Sequence, residues 1–125
     1  MPNRVFLTKK FDRWAKDAGV EDQALIRAVE EIESGLVDAN LGGNVYKKRV
    51  ARQGEGKSGG FRTILALKAD ERTIFLVGFA KNERDNLTPT ELSFVKALAK
   101  RFLSLVPAGM DDEERRGEVR EVRRE

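Results

Sequence analysis

Four sets of side chains in this sequence could do chemistry, and most of the residues among them are cationic. Lys47, Lys48 and Arg49 are consecutive. Arg52 and Lys57 lie in a glycine-rich stretch, Arg62 follows Gly59-Gly60-Phe61, and Lys81-Asn82-Glu83-Arg84 closes the series. Clustered Lys and Arg suit chemistry at a phosphodiester. Arg offers a planar fork to two phosphate oxygens, Lys offers a compact charge, and both stabilise negative charge developing at phosphorus. Such a site also needs a proton carrier. A lysine crowded by other cations gives up its proton more readily, which makes Lys47 the candidate carrier; Glu83 is a weaker candidate base, since Lys81 or Arg84 can pair with it.

What the sequence lacks narrows the chemistry further. It has no Cys and no His. That removes a disulfide scaffold, a cysteine nucleophile, every Ser-His-Asp triad and the commonest metal ligand. Asp111, Asp112, Glu113 and Glu114 read as solvated charge at a helix start, not as a metal site. Gly56-Lys57-Ser58 does not make a phosphate-binding P-loop: Ala51 stands where its first glycine belongs, and a strand follows instead of a helix. The stretch 52–60 reads instead as a flexible cationic loop able to approach a phosphate backbone.

Charge is also unevenly distributed. Residues 44–84 hold ten Lys/Arg (47, 48, 49, 52, 57, 62, 68, 72, 81, 84) against four Asp/Glu (55, 70, 71, 83), while the net charge of all 125 residues is only +3. A cationic middle between near-neutral flanks is the footprint of a surface that meets a polyanion. The length suits one domain with its own core. No apolar run approaches the roughly 20 residues of a membrane span, and the start lacks a signal-peptide apolar region, so a cytoplasmic protein is expected.

The elements that must position these residues are legible from periodicity and caps. Residues 3–7 predict a short strand. Thr8 caps a helix carrying Phe11, Trp14, Ala15 and Ala18, and Gly19 ends it. Glu21 or Asp22 opens a second helix whose apolar stripe runs Leu25, Ala28, Val29, Ile32, Leu36, and Gly35 breaks it. The two are expected to form an αα-hairpin, followed by a loop at 41–44. Strands are predicted over 45–51, 61–68 and 73–80, with short connections that make them antiparallel neighbours. In the first, Tyr46, Lys48 and Val50 share one face, and Val45, Lys47, Arg49 and Ala51 the other. The third is apolar on both faces, the mark of a buried strand. Thr88-Pro89-Thr90-Glu91 opens a last helix with the stripe Leu92, Val95, Ala99, Phe102, Val106, stopped by Pro107-Ala108-Gly109. The expected organisation is a domain over residues 1–107 and a charged tail over 108–125, either disordered or a short helix plus a strand near 118–122.

This order of elements, with Asp38-Ala39-Asn40-Leu41-Gly42-Gly43, Val45-Tyr46-Lys47-Lys48-Arg49-Val50-Ala51-Arg52, Gly56-Lys57-Ser58-Gly59-Gly60-Phe61-Arg62-Thr63 and Gly78-Phe79-Ala80-Lys81-Asn82-Glu83-Arg84-Asp85-Asn86, resembles the RelE/ParE toxin superfamily of type II toxin–antitoxin systems over residues 3–106. It is most similar to the phage-related, HigB-like branch of RelE toxins. The resemblance implies an α+β fold of microbial-ribonuclease type: an N-terminal αα-hairpin packed on a small, mainly antiparallel sheet, with a C-terminal helix. It implies a metal-independent, cofactor-free endoribonuclease that cleaves messenger RNA in the ribosomal A site. The expected partners are the ribosome, the message and a helix-turn-helix antitoxin. Lys47, Arg49, Arg62, Lys81 and Arg84 fall on the family's catalytic pattern, and Lys48, Arg52, Lys57 and Asn82 are expected to bind RNA. A family arginine position falls on Asn82 and a family tyrosine position on Thr88, so orientation by the ribosome is expected to carry much of the catalysis. Two other readings share parts of this sequence: a ParE-like gyrase inhibitor that cuts no nucleic acid, and a non-catalytic RNA- or ribosome-binding module.

Overall fold

The structure, a computed structural model, describes residues 3–51 and 60–124. Strand β1 (Arg4–Thr8) leads directly into helix α1 (Lys9–Ala18), because the Thr8 side chain accepts the Phe11 backbone N–H and caps the first turn. Gly19 takes a left-handed φ of 76° and closes α1. Helix α2 (Asp22–Glu33) follows from Glu21, which supplies no side-chain cap. Beyond it come β2 (Ala39–Gly42), β3 (Val45–Val50), β4 (Phe61–Lys68), β5 (Arg72–Ala80), α3 (Pro89–Ser104), α4 (Pro107–Arg115) and β6 (Val119–Val122).

The six strands form one sheet in the order β2-β3-β4-β5-β1-β6. Only β1 and β5 run parallel; every other neighbouring pair is antiparallel. The sheet is covered on both faces, which is why residues 64–67 of β4 and 74–77 of β5 are apolar on both sides. On one face, α1 and α2 bury Phe11, Ala15, Leu25, Val29 and Ile32 against Leu7, Val50, Leu65 and Phe75. On the other, α3 and α4 bury Val95, Ala99, Phe102 and Met110 against Phe6, Ile64, Ala66 and Ile74. The sheet organises the two N-terminal helices: α1 lies chiefly on β5 and β1, and α2 on β3.

Gly78 on β5 sets how closely α1 approaches, since an added Cβ would lie 2.2 Å from the Trp14 ring. That ring also meets Phe61 edge-on, with centroids 5.3 Å apart.

Four expectations are corrected. The segment 41–44 is not simply a loop: Ala39–Gly42 is the edge strand β2, joined to β3 through Gly43 and Asn44, both at positive φ near 63°. This is the two-residue hairpin geometry that Gly and Asn tolerate best. Leu36 does not extend the α2 stripe. Gly35 at φ 94° and the Leu36 N–H bond to the Glu31 carbonyl turn the chain away after Glu33, leaving Leu36 exposed. Val106 does not extend α3. It is held extended ahead of Pro107, which starts α4 rather than merely ending α3. Finally, Glu113 is not solvated. It is 1% exposed and pairs with Arg101 of α3 and Arg116, pinning α4 to α3. The tail is thus built as helix plus strand, with β6 paired to β1.

Candidate nucleic-acid interface

Strand register brings the central cations together. Arg49 on β3 stands directly opposite Arg62 on β4, and Arg62 stands opposite Phe79 on β5. Lys47, two residues before Arg49, projects from the same face of β3. This is the face that α3 covers further along the sheet. Like charges directly opposite in a sheet are destabilising, so the Arg49–Arg62 pair works against folding and marks a place where the sequence serves something else.

Each cation has a different degree of compensation. Arg49 is held by Asp38, whose carboxylate accepts both its backbone N–H and, at 3.1 Å, its guanidinium Nε. Partial burial pushes the Asp38 carboxyl up, but these two hydrogen bonds outweigh it and leave the group below its ordinary value. Lys47 donates to the Asn86 side-chain oxygen at 2.9 Å. Arg62 is the least compensated. It is 8% exposed; among the described residues its ion pair is with Asp85 at 3.6 Å, and its Nη1 is buried with no hydrogen-bond partner. A buried guanidinium with an unmet donor is costly on its own and ready for an oxyanion. Gly60 lets the chain reach this point, because a Cβ there would lie 2.2 Å from the Val50 carbonyl oxygen.

The other expected residues are placed elsewhere. Lys48 faces the opposite side of the sheet, 3% exposed, with its ammonium 2.7 Å from Glu31 of α2. It is an interior ion pair between β3 and α2, and the expectation that it contacts RNA is not met. Arg84 is turned to the start of α3. It pairs with Glu91, donates to the Asn86 carbonyl at 3.0 Å and lies over the Phe79 ring. The Arg84 guanidinium, with the Thr88 N–H, holds the Glu91 carboxyl down to about 2. Arg84 therefore orders the loop 81–88 and the α3 capping box, beside the Arg49–Arg62 pair rather than within it. Lys81 and Asn82 are exposed in that loop, directly after Ala80, which pairs with Phe61. Arg52 and Lys57 lie outside the described residues.

Three contributors carried no assigned role in the sequence: Asp38, Asp85 and Asn86. Asp38 and Asn86 are the anchors of Arg49 and Lys47. Their signal was present, since Asp38 opens the first quoted motif and Asp85-Asn86 closes the last, but only the β2–β3 pairing and the return of the loop over β3 bring them to the cations.

A protein-family model for the RelE toxin of the RelE/RelB toxin–antitoxin system matches residues 3–122. The chain belongs to the RelE toxin family. No curated protein matches it. Membership in the RelE family supports a toxin role and a cognate antitoxin as partner. The match takes in α4 and all of β6, beyond the residues that carry the sequence motifs.

Proposed function

We propose that this RelE-family toxin is a HigB-like messenger-RNA endoribonuclease that acts in the ribosomal A site. The observation that carries this reading is the Arg49–Arg62 cross-strand pair, with the buried, unmatched Nη1 of Arg62 at its centre. In this account the scissile phosphate takes up that donor and displaces the weak Asp85 contact. Arg49, prealigned by Asp38, takes a second oxygen. As the 2′-oxygen loses its proton and attacks phosphorus, negative charge accumulates on the non-bridging oxygens, and the fixed cations stabilise it without reorganising; the bond to the 5′-oxygen breaks, that oxygen leaves with a proton as a 5′-hydroxyl, and a 2′,3′-cyclic phosphate remains. Lys47, steadied by Asn86, is the proton carrier, and Lys81 and Asn82 border the entry from the loop. Arg84 supports the site through the loop.

The same geometry accounts for ribosome dependence. The site holds charge in place, while no histidine is available as an acid or base. Orientation of the 2′-hydroxyl for in-line attack therefore falls to the partner. Purified protein is expected to leave a naked transcript essentially intact and to cut the same transcript when ribosomes translate it. Efficient cleavage of the naked transcript would overturn ribosome dependence.

A further inference from the structure

The α3-side face of the sheet carries cations at both of its ends. Arg62, Ile64, Ala66 and Lys68 alternate onto that face along β4. Arg62 is therefore separated from Lys68 by six residues, about 20 Å at the usual strand rise of about 3.3 Å per residue. Between them α3 lies on the sheet. At the far end, the β2–β3 turn, the end of β4 and α3 enclose an open groove of about 590 Å³ whose rim is Lys68, Lys96 and Lys100. Leu67 and Leu103 also line it, and among the described residues no carboxylate does. Lys96 fits against the turn because Gly42 and Gly43 have no side chains; a Cβ at Gly42 would come within 3.3 Å of its Nζ.

The pairing of these lysines sets them apart. Around them the chain matches its cations closely: on the same helix Arg101 is bound to Glu113, and Arg72 beneath it donates to Glu71 and to the Phe102 carbonyl. Lys68 has Glu71 at 3.1 Å, but Lys96 and Lys100 have no ion pair among the described residues. One turn apart on a helix, they repel each other. Three ammonium groups around the groove, two of them without an ion-pair partner among the described residues, suit phosphate oxygens. The groove offers no aromatic ring on which a splayed base could stack, which is how single-stranded RNA is usually gripped. Compact charges without base readers suit the backbone of helical RNA.

We infer that the Lys68–Lys96–Lys100 groove is a second RNA contact, which takes the phosphate backbone of a ribosomal RNA helix while the Arg49–Arg62 end addresses the message. This rests on the ribosome-dependent reading above. The groove then acts as an anchor: it fixes the toxin about 20 Å from the scissile phosphate and supplies the orientation that the active end lacks.

The test is sedimentation of the full chain with vacant 70S ribosomes across a salt series, comparing wild type, the control Lys10→Gln and the double variant Lys96→Gln/Lys100→Gln. Glutamine keeps most of each stem, and thermal melts check that the variants are folded. The double variant is expected to lose about tenfold in affinity near 100 mM salt and to flatten the log–log salt slope by roughly one to two, as expected for two lost phosphate contacts. Lys10→Gln, at an exposed position of α1, should bind vacant ribosomes as wild type does. Unchanged affinity and slope in the double variant would overturn the inference, as would wild-type protein that does not bind ribosomes. Parallel titrations with an RNA duplex and a single-stranded RNA of equal length test the occupant: a loss confined to the single strand would assign the groove to the message instead. Wild-type protein that binds ribosomes through these lysines yet leaves translated message uncut would overturn the nuclease reading and leave the anchor standing.

Discussion

Neighbouring residues on β3 do opposite work. Lys47 and Arg49 point to the open end of the α3 face, whereas Lys48 points inward to Glu31. Alternation along a strand assigns the faces from the sequence alone, and Lys48 does fall with Tyr46 and Val50. What alternation cannot supply is that α2 covers that face, and this is why a cation in a basic triplet turns out to be interior. A consequence follows for stability. Removing Glu31 leaves a nearly buried ammonium without this partner, and breaking such a pair typically costs about 3 kcal/mol or more. Glu31→Ala is expected to lower the urea-unfolding free energy by roughly that amount, while Arg49→Ala, which relieves a like-charge contact, should lower it by less than about 1 kcal/mol. Equal effects of the two substitutions would contradict the separation of structural and functional cations.

Elements with local signals were legible. Thr8, Gly19 and the Thr88–Glu91 capping box each define a helix end through a few neighbouring residues, and all three form as the sequence predicts. Elements defined by distant partners were not. β2 exists through its pairing with β3, and its Asn40 and Gly42, running into the Gly43-Asn44 turn, disguise it as a loop. Similarly, Glu113 is buried because α3 brings Arg101 to it. The site showed the same division: its cations could be read, but their anchors Asp38 and Asn86 come from segments 11 and 39 residues away from their partners. Two predictions belong at this scale. Gly78→Ala should destabilise the fold by about 1–3 kcal/mol through overpacking against Trp14, and the cost should shrink when Trp14 is replaced by leucine. A full cost in the Trp14→Leu background would mean that the ring does not set the approach of α1. The second prediction concerns β6, which ion pairs hold to the rest of the fold: Arg120 bridges Asp12 and Asp22, and Arg124 binds Glu33. The Arg124 guanidinium, with Asn3, holds the Glu33 carboxyl near 2, and Arg120 lowers Asp12. These folded-state values lie below the ordinary carboxylate range, so the stabilisation is present above about pH 4.5 and is lost as pH falls toward 2. The protection factors of the Val119–Val122 amides, corrected for the slower intrinsic exchange at low pH, should therefore fall between pH 5 and pH 3. Unchanged protection would show that the strand is held by Val119 and Val122 packing alone.

At the scale of the whole molecule, a sheet covered on both faces leaves one corner open, and the chain places there its least compensated buried cation. A net charge of +3 conceals this, because the cations elsewhere are largely tied into ion pairs that fasten α4 and β6. The central claim is that Arg62 at this corner serves cleavage of messages on the ribosome. The direct measurement is induced expression of wild type and Arg62→Ala, followed by mapping of messenger-RNA 5′ ends across the transcriptome. Wild type should create new 5′ ends within translated frames. Arg62→Ala, equally folded and abundant, should reduce them by roughly a hundredfold or more, as expected for loss of about 2.7–4 kcal/mol of charge stabilisation in the transition state. Growth arrest by wild type with messages left intact, or wild-type cleavage by Arg62→Ala, would contradict the account.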